Sequence, residues 1–270
     1  MYLETIIGTA IASIIAYLLG SFSFSITIVK LKTNKDVRDQ GSKNAGATNA
    51  SRIIGKKWGA FIMILDALKI LIAVTVAFAL SQIPTSYFQN IILIVPGLFA
   101  LIGHCWPIYY KFKGGKAVSC FLGLMFTANY IVGIILFTTW LVLVLSTRKV
   151  SIGSIFAAIL AGVLMWIPQI SGLNTFSIHG ADFINAFNKG INFVWFNKMH
   201  EVNGSNYDNF LIINLVTTTA MIILLARHWQ NIQRLIKGTE PAFLKKRGSK
   251  EKESKQEEVK VKNNNQKVAN

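Results

Sequence analysis

AVSCFLGLMFTANYIVGIILFTTWLVLVLS, residues Ala117–Ser146, is an uncharged apolar run of 30 residues. A bilayer core of about 30 Å takes about 20 helical residues to cross. The run is therefore too long for one crossing and short for two. With a tight turn near Thr127–Asn129 it is a hairpin, and without one it is a single tilted helix. The choice decides the side of the membrane on which everything downstream lies.

The flanking sequence makes that choice. Five other apolar runs have crossing length: Ile6–Val29, Trp58–Leu80, Ile91–Pro107, Ile152–Ile170 and Phe210–Ala226. With 52% hydrophobic and only 15% charged residues, the chain is not a soluble domain. Its cations fall in four clusters: eight in Lys30–Lys57, three in Lys111–Lys116, two at Arg148–Lys149 and twelve in Arg227–Lys267. Short loops rich in Lys and Arg face the cytoplasm. A hairpin places all four clusters on that side, whereas a single helix throws the last two outside. The expected fold is all-α: a polytopic integral membrane protein of seven transmembrane helices, N-terminus outside and C-terminus cytosolic. The spans fall near 5–30, 58–80, 91–109, 117–127, 130–146, 152–170 and 209–227.

One membrane domain, 1–244, accounts for almost the whole chain, including a long outer loop at 171–208. Residues 245–270 mix Lys, Glu, Gln and Asn without apolar periodicity and read as a disordered charged tail, whose lysines can touch anionic lipid. The net charge of +16 thus belongs to membrane topology and calls for no nucleic acid. Met1–Glu4 lacks the cationic start of a cleavable signal peptide. Cys105 and Cys120 match neither a metal-ligand spacing nor a disulfide framework. No metal, cofactor or obligate protein partner is expected.

The inward loop Gly41–Lys57, GSKNAGATNASRIIGKK, carries more than a connector needs. Its glycines let backbone N–H groups approach a ligand, and concave arrays of such groups bind anions. Ser42, Asn44, Thr48 and Asn49 add small polar groups, and Arg52 adds a planar fork suited to phosphate oxygens. Further along, Pro107 should end the third span. Gly114–Gly115–Lys116 then sets a flexible turn and a point charge at the start of the next helix, where anions are favoured. Asp66 and Lys69, three apart in the second span, share a helix face, as a structural ion pair or as a device that orients the loop before it. His104 reads as a packed residue. Ser151 and Ser154 read first as N-caps of the sixth span. His228, Asn231 and Arg234 recur at helical spacing below the last span. Basic segments from distant parts of the chain thus converge on one phosphate-bearing ligand.

Gly41-Ser42…Asn44…Gly46-Ala47-Thr48-Asn49…Arg52…Gly55-Lys56-Lys57…Asp66…Lys69 is the first of three groups in register. The second is Gly103-His104…Pro107…Phe112-Lys113-Gly114-Gly115-Lys116, and the third is His228…Asn231-Ile232…Arg234…Gly238…Glu240. In order and spacing they resemble the bacterial acyl-phosphate:glycerol-3-phosphate acyltransferases, the PlsY family. The resemblance runs from the first span to about Pro241. It implies a seven-helix enzyme of the bacterial plasma membrane with a cytosolic active site and no cofactor. Such an enzyme moves a fatty acyl group from acyl phosphate to the sn-1 hydroxyl of glycerol 3-phosphate, giving lysophosphatidic acid and inorganic phosphate, the first step of phospholipid synthesis. It further implies that Ser42, Asn49, Arg52, Lys116 and Ser151 hold phosphate and that His228, Asn231, Lys116 and Ser42 act at the reacting groups. Gly114 and Gly115 would offer N–H donors. None of the four histidines has an aspartate five positions on, so the acyl-CoA-dependent signature is missing. Three positions depart from the family pattern: Lys43, Ile70 and Ala117 stand where glycine is usual. The loop 171–208 looks like an insertion.

Two other classes compete. A transporter of a phosphorylated solute needs polar groups continuing to the outer face, yet only Asp66 and Lys69 put charge inside a span. A lipid-touching scaffold has no need of Asn44, Asn49, His228 or Asn231.

Overall fold

A computed structural model of the 270-residue chain describes residues 2–167, 170 and 210–243. The outer loop 171–208 and the tail 245–270 lie outside the described residues. Among the described residues the structure is helical throughout: α1 (Tyr2–Gly20), α2 (Phe24–Thr33), α3 (Ala47–Ile54), α4 (Lys56–Ser81), α5 (Ile94–Cys105), α6 (Val118–Ala128), α7 (Tyr130–Thr147), α8 (Val150–Met165), α9 (Phe210–Arg227) and α10 (Trp229–Ile236). Leu3–Thr33, Lys56–Ser81 and Tyr130–Thr147 are long and apolar enough to cross a membrane. Leu211–Arg227 with Trp229–Ile236, bent by 55°, makes a fourth stretch if taken together, and α5, α6 and α8 are shorter apolar helices.

The first span, expected as one helix, is broken at Ser21–Ser23. Ser23 caps α2, its side chain accepting from the Ile26 N–H, and the break frees the Phe22 carbonyl to accept the Lys69 ammonium at 3.2 Å. The expected connector 31–57 holds a helix of its own, α3, which packs on α4. A Cβ at Gly59 of α4 would lie 2.3 Å from Ser51 Cβ, so the two helices approach as closely as glycine allows. On the other side of the bundle a Cβ at Gly20 would lie 2.0 Å from the Ala100 carbonyl oxygen. Small residues at helix contacts are how apolar helices pack closely in lipid. Phe121, Leu101, Leu124, Met125, Ile213 and Leu224 are fully buried between the helices.

The run Ala117–Ser146 does turn back. Asn129 is extended at φ −160°, and its side chain caps α7 by accepting from the Val132 N–H. A Cβ at Gly133 of α7 would lie 3.1 Å from the Phe126 backbone nitrogen of α6, so the chain has doubled back on itself. Hence both Lys116 and Arg148 sit at one end of the bundle. Hydrogen bonds tie the cationic segments together there. Arg38 donates to the Tyr110 carbonyl at 2.8 Å, Arg227 to the Gly114 and Gly115 carbonyls at 3.1 Å, and Phe243 N–H to the Arg148 carbonyl at 2.7 Å.

Candidate active site

A cavity of about 530 Å³ opens at that cationic end, walled by the 41–52 segment, the start of α6, the start of α8 and the 228–241 segment. Ser42, Asn49, Arg52, Lys116, Ser151, His228 and Asn231 all line it, although they lie up to 189 positions apart in the chain.

The helices meet the cavity with their N-termini. Residues of the first turns of α3, α6 and α8, and His228 at the start of α10, are in the wall. None of these four ends has a side-chain cap. Away from the cavity, Ser23 caps α2 and Asn129 caps α7, while the starts of α4 and α5 also lack a side-chain cap. The uncapped N–H groups of a helix start carry partial positive charge, so the wall adds backbone donors to the side-chain cations.

Within the wall the expected residues divide. Arg52 is exposed on α3, and the Ser42 hydroxyl has no partner among the described residues. Asn49 differs from expectation: its amide nitrogen reaches the Val37, Gln40 and Asn44 carbonyls at 2.8–3.1 Å, and its oxygen accepts from Ser42 N–H at 3.0 Å. With its groups engaged, Asn49 shapes the loop rather than presenting a ligand donor. Gly114 and Gly115 are buried behind the wall. The Gly115 N–H is given to the His104 carbonyl at 3.1 Å, and the residues of this turn that reach the cavity are those from Lys116 to the start of α6. The departures Lys43 and Ala117 both sit at positive φ, 56° and 61°. That is the conformation in which glycine is least strained.

On the opposite wall Glu240 is the hub. Its Oε1 accepts from Ser151 Oγ and from Asn231 Nδ2 at 2.5 and 2.7 Å, and its Oε2 accepts from Arg234 Nε at 2.7 Å. Ser151 therefore does not cap α8; its hydroxyl is bound to Glu240, while Ser154 donates back to the Val150 carbonyl. Burial disfavours the Glu240 carboxylate, but the bonds from Ser151, Asn231 and Arg234 outweigh it and hold its pKa below the usual range. Asn231 passes its other end to Lys116, whose ammonium donates to Asn231 Oδ1. Burial, reinforced by Arg234, Arg227 and Arg52, lowers the Lys116 pKa to about 8 despite the Glu240 charge. His228 sits at the break between α9 and α10, with its Nδ1 on the Leu224 carbonyl at 2.8 Å. Burial pulls its pKa to about 4, the bond to Leu224 opposing and the Lys116 charge assisting. At neutral pH the ring is uncharged, Nδ1–H donates to Leu224 and Nε2 keeps its lone pair.

Sequence reading assigned no task to Glu240 or Arg227. The signal for Glu240 was present: it is the only acid between Arg227 and Pro241, among three cations.

The family model for glycerol-3-phosphate acyltransferase matches residues 10–238. The chain belongs to that family. It is 45% identical over 239 residues to the glycerol-3-phosphate acyltransferase of Mycoplasma mycoides, covering 87% of this chain and 93% of that one. It is 43% identical to that of Mesoplasma florum, covering 89% and 97%. Among solved structures it is similar to PlsY (YgiH), an integral membrane glycerol 3-phosphate acyltransferase, in its glycerol 3-phosphate form. The TM-score there is 0.62 at 32% identity, over 87% of this chain and 96% of that one. The lysophosphatidic acid form of the same enzyme gives 0.60 at 31%, over 87% and 94%. The protein is thus a membrane-bound glycerol-3-phosphate acyltransferase, and the transporter reading falls away.

Proposed function

We propose that the acyl donor is acyl phosphate, that the acceptor is the sn-1 hydroxyl of glycerol 3-phosphate, and that the cavity faces the cytosol in a seven-span topology. One observation carries the reading: four helix starts without side-chain caps, together with Arg52 and Lys116, surround a cavity whose two acids are already paired, Glu240 with Arg234 and Asp66 with Lys69. Such a site has positive potential to spare for two phosphate groups. Inorganic phosphate is itself the leaving group, so no covalent enzyme intermediate is needed. Ser42, Arg52 and Lys116 bind the phosphate of glycerol 3-phosphate, the N–H groups at the start of α6 face the departing phosphate, and the Lys116 charge screens the repulsion between the two. Ser151 and Asn49 act indirectly, through Glu240 and the loop.

In the step itself the glycerol hydroxyl oxygen bonds to the acyl carbonyl carbon. The bond from that carbon to the phosphate oxygen breaks, and the hydroxyl proton passes to the departing phosphate. Holding the two reactants in contact is most of the catalysis. His228 Nε2 accepts a hydrogen bond from the hydroxyl and orients it. With a pKa of about 4 the imidazole is a weak proton acceptor, which favours the phosphate oxygen as base.

The test is phosphate release by purified protein given glycerol 3-phosphate with acyl phosphate, acyl-CoA or acyl carrier protein. Turnover with acyl phosphate alone is expected; turnover with a thioester and none with acyl phosphate overturns the donor assignment. His228→Gln should keep turnover near wild type, and a large loss at neutral pH that shrinks as pH falls toward 4 would make the histidine the base. Labelling from each side of the membrane should find Arg52 and His228 on the cytosolic side.

A further inference from the structure

We infer that Asp66, Lys69 and His104 form a positioning unit that sets Lys116 on the substrate phosphate. The inference rests on the phosphate-binding role proposed above for Lys116. All three side chains are buried, at 2%, 4% and 6% exposure, and acyl transfer as derived uses none of them. The Lys69 ammonium hydrogen-bonds His104 Nδ1 at 2.9 Å and the Phe22 carbonyl at 3.2 Å, and it forms an ion pair with Asp66 Oδ1 at 2.9 Å. An ammonium only donates, so His104 Nδ1 accepts and the neutral ring carries its proton on Nε2. One buried cation therefore ties together the α1–α2 break, α4 and α5.

From His104 the constraint reaches the turn by two contacts. Its carbonyl accepts the Gly115 N–H at 3.1 Å. Its ring lies so close that a Cβ at Gly115 would be 2.1 Å from Nε2 and 2.7 Å from the Ala45 carbonyl oxygen. From the other side Arg227 grips the Gly114 and Gly115 carbonyls, both at 3.1 Å. The dipeptide is clamped between His104 and Arg227, and the next residue is Lys116. Asp66, His104 and Cys120 place their ligand atoms within 4.8 Å of one another, a spacing that suits a metal. The Lys69 ammonium, 2.9 Å from both Asp66 and His104, already occupies the place of a cation there.

The experiment compares KM for glycerol 3-phosphate and kcat in purified His104→Phe, His104→Asn and Lys116→Ala. His104→Phe removes the acceptor for Lys69, whereas asparagine keeps one near the Nδ1 position. Expected is a KM raised about tenfold or more in His104→Phe with kcat within about threefold, the signature of a misplaced binding group, and most of the KM restored in His104→Asn. An unchanged KM in His104→Phe, or a defect that asparagine does not relieve, overturns the inference. Should His104→Phe fail to fold, Lys69→Arg decides: a raised KM in a folded protein supports the unit, and a wild-type KM sinks it. Lys116→Ala separates the two layers. A KM raised there but unchanged in His104→Phe removes the positioning unit alone, and a KM unchanged in Lys116→Ala removes the phosphate role itself.

Discussion

Lys69 has three partners within 3.2 Å, one of them a carboxylate. Lys116, on the cavity wall, has the Asn231 carbonyl oxygen as its side-chain partner and three arginines near enough to lower its proton affinity. The first ammonium is saturated and the second is under-paired among like charges. A buried charge that serves the fold is compensated by the fold. One that serves a ligand is left for the ligand to compensate.

The sharpest way to break this contrast is Lys69→Met. It strands Asp66 without its cation, and removing one partner of a buried pair costs about 3–5 kcal/mol. Thermal unfolding in detergent should show that loss, and an unchanged midpoint would make Lys69 no more structural than Lys116. Lys116→Ala should do the opposite. The kcat/KM for glycerol 3-phosphate should fall by about 10–10²-fold, mostly through KM, the loss of one charge-assisted hydrogen bond, while thermal stability holds or rises. Arg52→Lys should raise the glycerol 3-phosphate KM by about tenfold, because lysine cannot make the two-pronged contact of a guanidinium. A KM that stays put removes Arg52 from the phosphate site.

pH sharpens the comparison further. Lys116 is charged below about 8 and neutral above it, so glycerol 3-phosphate KM should climb severalfold, by about one decade per unit at most, as pH passes 8. Stability moves the other way. The folded pKa lies below the ordinary value of 10.5, so the unfolded chain holds the proton more tightly between those limits, and raising the pH through them favours the fold. In Lys116→Ala both trends should vanish. The smallest effect belongs to Ala117→Gly. Relief of the left-handed backbone at φ 61°, offset by the entropy of glycine, leaves about 0.5–1 kcal/mol of added stability, read as a raised unfolding midpoint.

Much of the site was legible in the sequence, because glycines, amides and cations crowd into segments where an apolar chain has little use for them. Ser42, Arg52, Lys116, His228 and Asn231 were picked out that way and line one cavity. What misled was the assumption that a residue in such a segment faces the ligand. Asn49 turned inward to hold carbonyls within its own loop, Gly115 gave its N–H to His104, and Ser151 gave its hydroxyl to Glu240. Each is a choice between hydrogen-bond partners close in space and distant in sequence, about which spacing along the chain carries no information.

The order of amino acids alone determined the helical class, the folding back of Ala117–Ser146 and the gathering of cations at one end. These follow from transfer of apolar residues out of water and exclusion of charge from an apolar interior, both of which act residue by residue. Tertiary structure alone decided which ammonium is neutralised and which is left for substrate. The proton affinity of a buried group depends on the atoms within a few ångströms of it, and those are brought there only when the helices pack.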